Sequence, residues 1–335
     1  MSITTDTTAT TRSVAILDHR FSALELEREQ LAASGTEVRD GKGLTREQAL
    51  ELAADADAVV VGARLRMDAE AIARLRRARV IVRHGVGVDN VDTAAAAAAG
   101  IWVAYVPDYC IEEVADHAIA MLMALNRRLF GFDGDVRAGT WGIPAGLPLR
   151  RLSTRVTGVV GFGRIGEAVG RRAAALGMRV LASDPIRPEA EIRAAGAEPV
   201  SLETLLEQSD YVSLHAPPRA GGGAVLDAER IATMKAGACV INLARGGLVD
   251  ETALVRALRD GRLGGAALDV AVAEPLTPPD PLLEAPNLIV TPHAGWYSLE
   301  AVRDLRVKAI AEVLRVLGGE QPAHPANQPA SGALR

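Results

Sequence analysis

The sequence predicts an α/β fold made of two doubly wound domains, each a parallel β-sheet covered by helices on both faces. Two observations support this prediction. The chain has 335 residues, which is too long for one ordinary domain and suits two. Along most of that length, short apolar runs alternate with segments of helical periodicity, which is the pattern of β-α-β units.

The first part of the chain contains one such series. Its predicted strands lie at residues 14–17, 37–39, 58–61, 80–82 and 102–104. Helical segments separate the strands, and in the segment 45–54 the residues Thr45 and Gln48 fit a capping box, which is typical of a helix start. This series predicts the first parallel sheet.

A long helix is predicted at residues 112–128, where apolar side chains such as Val114, Ala118 and Met121 fall on one face. The stretch after this helix, which includes Trp141, lacks clear periodicity and is interpreted as a linker or arm.

A second series follows. Its predicted strands lie at residues 156–160, 179–182, 211–214, 239–242, 266–270 and 288–291. Six strands with helices between them suit a second doubly wound sheet. The last predicted helix, at residues 299–317, has no strand after it.

Composition and charge argue against several classes of function. The net charge of −5 gives no electrostatic reason to expect nucleic acid or an anionic membrane as a partner. No apolar run reaches the roughly 18 residues that span a bilayer. With only Cys110 and Cys239, and no Cys/His cluster of zinc spacing, we expect a cytoplasmic protein without a metal site. Residues 1–12 and 321–335 are predicted to be disordered tails, the first without signal-peptide character.

A glycine turn follows the first strand of the second series. Gly161, Gly163 and Gly166 form a GxGxxG pattern between that strand and a predicted helix, where backbone N–H groups can hold a pyrophosphate. Asp184 ends the next strand, where an acid accepts hydrogen bonds from a ribose diol and repels a 2′-phosphate. The pattern favours NAD over NADP, although Arg187 nearby could weaken that preference. The alternative is a turn that only packs a helix.

Three polar side chains follow three later strands of the same series. Arg245 can bind a carboxylate and polarise a neighbouring carbonyl, because its guanidinium group is permanently charged and forked. His293 can supply a proton, and Glu274 can hold the other imidazole nitrogen and fix its tautomer. Singly, these residues could be a surface ion pair, a solvated acid and a turn residue. Their joint placement at strand ends favours hydride transfer to a small 2-oxo acid.

The remaining histidines have no arginine and glutamate at neighbouring strand ends, and only one of them is an alternative to His293 as the proton donor. His84 lies in the glycine-rich loop 83–89, whose backbone N–H groups could hold a carboxylate. The alternative for this loop is a simple turn. If the loop 83–89 does hold a carboxylate, then together with the strand-end residues it predicts a cleft between two domains that closes over the substrate.

Taken together, these motifs resemble the D-isomer-specific 2-hydroxyacid dehydrogenase family. The resemblance covers residues 15–319. It rests on residues 85–89, 161–166 with Asp184, 241–250, 267–275 and 291–293. It implies catalysis by Arg245, Glu274 and His293, and it implies that Val86 and Gly87 meet the substrate carboxylate.

The same resemblance implies the cofactor contacts. Arg164 and Ile165 would touch the pyrophosphate, and Asp184 would bind the adenosine ribose. The nicotinamide end of the site would be lined by Ala216, Leu243, Arg245, Asp269 and His293. Asp269 would bind the carboxamide.

The family's domain organisation is implied as well. Residues 13–107 and 300–320 would form a flavodoxin-like substrate domain, and residues 108–299 would form an inserted Rossmann NAD-binding domain. A homodimer would be joined through an arm at about residues 112–150.

Within the family, the run 293–298 is similar to the C-terminal binding protein branch, in which the residue at Trp296 lines the substrate pocket. An indole there would favour an apolar or thioether side chain on the 2-oxo acid. The alternative is hydrophobic filling between domains.

The sequence therefore predicts an NAD(H)-dependent oxidoreductase that interconverts a small 2-oxo acid and the D-2-hydroxy acid. Two alternatives stay open. One is an NAD-responsive regulatory or binding protein of the C-terminal binding protein type. The other is a dehydrogenase of the same fold that acts on another small oxyanion, such as phosphite.

Overall fold

The structure is a computed structural model that describes residues 12–144, 149–218 and 221–329. The chain divides into two compact units, Met1–Tyr109 with Ser298–Arg335, and Cys110–Tyr297. The first unit is built from both ends of the chain, and the second unit is one continuous insertion. The predicted tail at 1–12, apart from its last residue, and the end of the predicted tail at 321–335 lie outside the described residues.

The first unit contains a five-stranded parallel sheet of order β2-β1-β3-β4-β5, which is the flavodoxin-like order. Its strands are β1 (Ser13–Leu17), β2 (Glu37–Gly41), β3 (Ala58–Val61), β4 (Val80–Arg83) and β5 (Trp102–Tyr105). Its helices are α1 (Glu25–Ala32), α2 (Arg46–Ala53), α3 (Ala69–Ala73), α4 (Thr93–Ala98) and, from the end of the chain, α12 (Leu299–Leu317).

Local sequence explains these elements. The central strands β1, β3 and β4 are apolar except at Ser13 and Arg83, and every residue in them except Arg83 is buried, as expected for a sheet covered on both faces. Helix α2 begins with the predicted capping box, in which the Thr45 hydroxyl accepts the Gln48 N–H and the Gln48 side chain accepts the Thr45 N–H. All five predicted strands are confirmed within one or two residues at each end.

Residues 321–329 differ from the prediction of a disordered tail. The N–H of Ala326 donates to the carbonyl of Val103 at 2.7 Å, and the N–H of Val103 donates to Asn327 Oδ1 at 2.7 Å. Strand β5 is an edge strand, so its outer N–H and C=O groups need partners. This segment supplies them, and its composition, rich in proline and alanine, does not reveal a pairing that depends on a strand far away in sequence.

The second unit contains a seven-stranded parallel sheet of order β12-β11-β10-β9-β6-β7-β8. Its strands are β6 (Val156–Val160), β7 (Arg179–Ser183), β8 (Glu198–Pro199), β9 (Tyr211–Leu214), β10 (Cys239–Asn242), β11 (Gly265–Leu268) and β12 (Leu288–Val290). Its helices are α5 (Ile111–Arg127), α6 (Leu129–Arg137), α7 (Arg164–Ala175), α8 (Glu189–Ala194), α9 (Leu202–Gln208), α10 (Ala228–Thr233) and α11 (Glu251–Arg259). Counted from β6, this is the Rossmann order with one added strand, which confirms the predicted fold class.

Two elements of this unit were not predicted. Strand β8 is only two residues long and pairs with β7 alone, so no periodicity marks it. Helix α6 begins after the left-handed residue Arg128, with φ of 49°, and buries none of its own side chains. In the part of the chain that the structure describes, no helix has the length and apolar character needed to cross a membrane.

Candidate active site

The glycine turn packs strand β6 tightly against its neighbours. A Cβ atom on Gly161, whose φ is +84°, would lie 2.6 Å from the backbone nitrogen of Ala216. A Cβ atom on Gly166 would lie 2.1 Å from the carbonyl oxygen of Gly161. These two glycines are therefore required for close packing of β6, α7 and the end of β9.

Gly163 is different, because the space that its side chain would occupy is open. An added Cβ would meet no described atom within 4 Å, and Gly163 is the N-cap of α7. The first turn of a helix leaves N–H groups without intrahelical partners, and Arg164 and Ile165 supply two of them. This open space with free N–H groups suits a pyrophosphate, and the contact of Arg164 and Ile165 with that group stays a prediction.

Asp184 follows β7 and is oriented by the backbone. Its carboxylate accepts the N–H groups of Phe162 at 2.7 Å, Ile186 at 2.8 Å and Arg187 at 3.0 Å. Burial raises the pKa of Asp184, but these backbone hydrogen bonds and the nearby guanidinium outweigh it and hold the pKa below its ordinary value. A carboxylate has about four acceptor positions, so about one is left for a ribose hydroxyl.

An open cavity of about 500 Å³ lies beside this acid. It is lined by Phe162, Gly163, Arg164, Glu167, Asp184, Ile186, Arg187, Pro188 and Glu191. Its position next to the glycine turn and Asp184 suits the adenosine part of the predicted cofactor.

His293 and Glu274 form the predicted pair. Nδ1 of His293 lies 2.9 Å from Oε2 of Glu274, and the other carboxylate oxygen accepts the N–H of Ala271 at 3.2 Å. Both side chains are partly exposed, at 38% and 40%. With Nδ1 held by the carboxylate, Nε2 is the nitrogen available to exchange a proton with a ligand.

Asp269 anchors the loop that carries His293. Its buried carboxylate accepts the N–H groups of Ala294 and Gly295, each at 2.8 Å, and the hydroxyl of Thr291 at 2.5 Å. Its own carbonyl accepts the N–H of His293 at 2.8 Å. Asp269 therefore has a positioning role in this structure, and its contact with a carboxamide stays a prediction.

Arg245 lies in the turn after β10. The buried side chain of Asn242 hydrogen-bonds to the backbone of this turn. Asn242 Nδ2 donates to the carbonyl of Arg245 at 2.8 Å, and its Oδ1 accepts the N–H of Ala244 at 3.0 Å. A Cβ atom on the next residue, Gly246, would lie 2.0 Å from the carbonyl carbon of Ala271. The turn that carries Arg245 thus touches the turn that leads to Glu274.

The loop of His293 also touches the end of β10. A Cβ atom on Gly295 would lie 3.0 Å from Leu243 Cδ2. The structure therefore brings the ends of β10, β11 and β12 together, as the sequence predicts. Trp296, the predicted substrate-pocket residue, is partly exposed and stands edge-on to Tyr297, with ring centroids 5.6 Å apart.

Val86 and Gly87 lie in the first unit, in the loop after β4. Their contact with a substrate carboxylate stays a prediction. His84, the rival histidine in the same loop, is 8% exposed. Burial, with nearby positive charge, lowers the pKa of His84 to about 3, so its imidazole is neutral at pH 7 and is a poor candidate for the proton donor.

One histidine of this region was not recognised from the sequence. His117 on α5 places Nε2 at 3.1 Å from Thr291 Oγ1 and 3.9 Å from Asp269 Oδ1, so it belongs to the network that anchors the His293 loop. Its spacing from Val114 and Met121, both buried, puts a polar residue beside the apolar face of the helix, which was the available clue.

A Rossmann sheet with an open glycine turn, a strand-end acid and a histidine–glutamate pair defines a class of dinucleotide-dependent oxidoreductases. Within that class, residues 119–295 match the model of the NAD binding domain of the D-isomer specific 2-hydroxyacid dehydrogenases. The chain belongs to the D-isomer specific 2-hydroxyacid dehydrogenase family. The match confirms the predicted family and, at the level of the family, the predicted NAD cofactor.

Individual relatives cover the chain to different extents. A glyoxylate reductase from Korarchaeum cryptofilum is 40% identical over 284 residues, which is 83% of this chain and 85% of that protein. A D-3-phosphoglycerate dehydrogenase from Mycobacterium leprae is 38% identical over 299 residues, which is 88% of this chain but only 56% of that protein. The chain thus spans about half the length of such D-3-phosphoglycerate dehydrogenases.

A solved structure with the same fold is D-lactate dehydrogenase from Aquifex aeolicus, complexed with NAD and lactic acid. It has a TM-score of 0.84 at 27% identity, covering 95% of this chain and 100% of that chain.

Proposed function

We propose that the protein is an NAD(H)-dependent oxidoreductase that interconverts a small 2-oxo acid and the corresponding D-2-hydroxy acid. The observation that carries this proposal is the hydrogen bond between His293 and Glu274. This acid–base pair follows strands of the sheet whose first strand, β6, opens into the glycine turn. The carboxyl ends of parallel strands meet at one edge, where ligands bind in such sheets.

The proposed chemistry assigns one task to each of three side chains. An NAD(H) held at the glycine turn and Asp184 would provide the hydride chemistry at carbon 2, in either direction. Arg245 binds the substrate carboxylate and polarises the carbonyl, because a guanidinium fork can bind two neighbouring oxygens. His293 gives a proton from Nε2 to the carbonyl oxygen, or removes it in the reverse direction. Glu274 holds Nδ1 and so fixes the orientation and tautomer of the ring.

The names of the relatives suggest candidate substrates, namely glyoxylate, lactate or pyruvate, and 3-phosphoglycerate or its 2-oxo counterpart. Among these and related acids, an indole at Trp296 would favour an apolar or thioether side chain over a strongly charged one. We therefore expect better turnover of phenylpyruvate or 4-methylthio-2-oxobutyrate than of the 3-phospho acid.

The test is an NADH-oxidation screen over glyoxylate, pyruvate, hydroxypyruvate, its 3-phosphate, phenylpyruvate and 4-methylthio-2-oxobutyrate. We expect at least one acid to be reduced, and we expect His293→Ala to lower its turnover by roughly 10²-fold or more. NADH affinity, measured by calorimetry, serves as the control and should stay within about threefold of the wild type. Micromolar NADH binding without reduction of any of these acids contradicts the proposed enzyme.

A homodimer is the second part of the proposal. Helix α6 and the residues after it present a run of exposed apolar side chains that no described element covers. These side chains are Leu129, Phe130, Val136, Trp141 and Ile143. Large exposed apolar side chains grouped in one part of a chain are typical of a protein interface. A second copy of the chain is a suitable partner, because most soluble oligomers are symmetric homo-oligomers.

A further inference from the structure

The cavity beside Asp184 is lined in part by a basic side chain, Arg187, whose charge could bind a phosphate. Arg187 lies three residues after Asp184. In Rossmann folds an arginine near this acid can accommodate the 2′-phosphate of NADP, whereas the acid favours the free ribose diol of NAD. The two side chains thus make opposite demands on the cofactor, and the surroundings of Arg187 decide between them.

Those surroundings already occupy the guanidinium group. Its Nη1 lies 2.7 Å from Oε2 of Glu167 and donates to the carbonyl of Phe162 at 2.8 Å. Its Nε lies 3.4 Å from Oε2 of Glu191, and its carbon lies 5.3 Å from the centre of the Phe162 ring. Arg187 is therefore held between carboxylates from two helices, α7 and α8.

Glu167 is the stronger of these two partners. It makes the shorter contact and is 34% exposed, whereas Glu191 is 61% exposed, so solvent screens the second pair more. Glu167 also lies on the first turn of α7, where the helix dipole favours a negative charge. The helix that begins at the glycine turn therefore supplies a carboxylate that contacts the arginine.

The charges that line the cavity also disfavour a 2′-phosphate. Three carboxylates face it, from Asp184, Glu167 and Glu191, against two guanidinium groups, from Arg164 and Arg187. A 2′-phosphate would bring about two further negative charges, and it would have to share Arg187 with acids that already bind it. Like charges at this distance repel, and the cost is greatest where the site is partly buried.

We propose that Glu167, with a smaller contribution from Glu191, is a specificity-determining residue that withholds Arg187 from a 2′-phosphate. Preference for NAD over NADP then depends on two acids, Asp184 for the ribose diol and Glu167 for the arginine. This inference rests on the proposed NAD(H)-dependent function and explains how a chain with an arginine beside the ribose acid can still discriminate against NADP.

The test measures binding without catalysis. NADH and NADPH, which differ only in the 2′-phosphate, are titrated by calorimetry into the wild type and its variants in the absence of substrate. We expect Glu167→Gln to lower the ratio of Kd for NADPH to Kd for NADH by about tenfold, which corresponds to one charge-assisted hydrogen bond. Glu191→Gln should lower the ratio by about two- to threefold.

Two further variants separate this mechanism from a general loss of negative charge. Glu189→Gln removes a carboxylate from the same helix, α8, but this one pairs with Arg193, so the ratio should not change. Adding Arg187→Gln to Glu167→Gln should restore the wild-type ratio. An equal change in Glu189→Gln, an unchanged ratio in Glu167→Gln, or a gain that survives the loss of Arg187 would each overturn the inference. A wild type that binds neither dinucleotide would instead overturn the proposed function itself.

Discussion

The backbone of His293 is held in a left-handed conformation by hydrogen bonds on either side of it. Its φ is 54°, a region that costs a non-glycine residue roughly 1–2 kcal/mol. Its N–H donates to the carbonyls of Asp269 and Thr291, and the next two N–H groups donate to the Asp269 carboxylate. These bonds offset the strain and set the direction in which the imidazole leaves the chain. Asp269 thus acts on the acid–base group through the backbone.

A second residue, His84, makes the stability of the first unit sensitive to pH. Burial, together with smaller effects of the nearby Arg83, His19 and Arg306, lowers the pKa of His84 to about 3. In the unfolded chain a histidine titrates near 6.5, so between these two values the unfolded state binds more protons than the folded state. Stability is therefore retained above pH 6.5 and is lost as the pH falls below it.

We expect His84 to remove about 2 kcal/mol of unfolding free energy between pH 7.5 and pH 5, since each pKa unit is worth about 1.4 kcal/mol. Urea denaturation of the wild type and of His84→Gln at both pH values measures this contribution. The informative quantity is the change in unfolding free energy with pH, whatever the starting stability of each protein, and this change should be smaller in the variant by about 2 kcal/mol. Parallel losses in the two proteins would show that His84 does not titrate in this way.

At the scale of secondary structure, the segment formed by β6, the glycine turn and α7 contains one glycine that the fold needs and one that we expect cofactor binding to need. Gly166 faces backbone, since an added Cβ would lie 2.1 Å from the Gly161 oxygen, whereas Gly163 faces open space. The same substitution at these two positions should therefore have different consequences. The first position tests the packing of the helix on the strand, and the second tests the cradle for the pyrophosphate.

We expect Gly163→Ala to destabilise the fold by at most about 1 kcal/mol, because its φ of −73° suits any residue and the loss is limited to the poorer N-cap that alanine makes. NADH binding should nevertheless weaken by at least about tenfold, because the methyl group enters the space that the pyrophosphate needs. Gly166→Ala should lose both, with a destabilisation of about 1–3 kcal/mol from overpacking. Calorimetry of unfolding and of NADH binding on the same samples gives both quantities. Normal NADH binding by Gly163→Ala would remove this turn from the cofactor site.

Most of the elements could be predicted from the sequence because their information is local. Buried parallel strands appear as apolar runs, and capping residues such as Thr45 mark helix starts, so the eleven predicted strands are all present. The missing elements lack such local information. Strand β8 is too short for a pattern, and residues 321–329 are ordered by β5, whose partner residues lie more than 200 positions away.

The same distinction applies to the site. Arg245, Glu274 and His293 could be named because each directly follows a recognisable strand, and parallel topology brings strand ends to one edge. The groups that orient them could not. His117 contacts Thr291, which lies 174 positions away in sequence, and no periodicity indicates that contact. Likewise, the role of Arg187, in the loop after β7, depends on Glu167 on helix α7, so the effect of Arg187 on cofactor choice could not be predicted from the sequence.

At the scale of the whole molecule, the two units are each stabilised by their own apolar core. The first core includes side chains of helices α2, α3 and α4, and the second joins strands of the Rossmann sheet to helices α9, α10 and α11. Against this background the region 129–143 stands out, because its apolar side chains contribute to neither core. Phe130 is 66% exposed and Trp141 is 90% exposed, which is unusual for large aromatic side chains in a chain with few aromatic residues.

We expect these side chains to be buried against a second copy of the chain, so the wild type should have a mass of about 70 kDa in solution, twice the chain mass of 35.2 kDa. Replacing Phe130 and Trp141 by glutamate places two charges in the proposed interface and should yield the monomer at micromolar concentration. Sedimentation equilibrium gives the mass independently of shape. The matched control is Leu299→Glu, which charges another strongly exposed apolar position, in the first unit, and should leave the mass unchanged. A wild type that is monomeric, or a double variant that keeps the doubled mass, would show that region 129–143 does not join two copies.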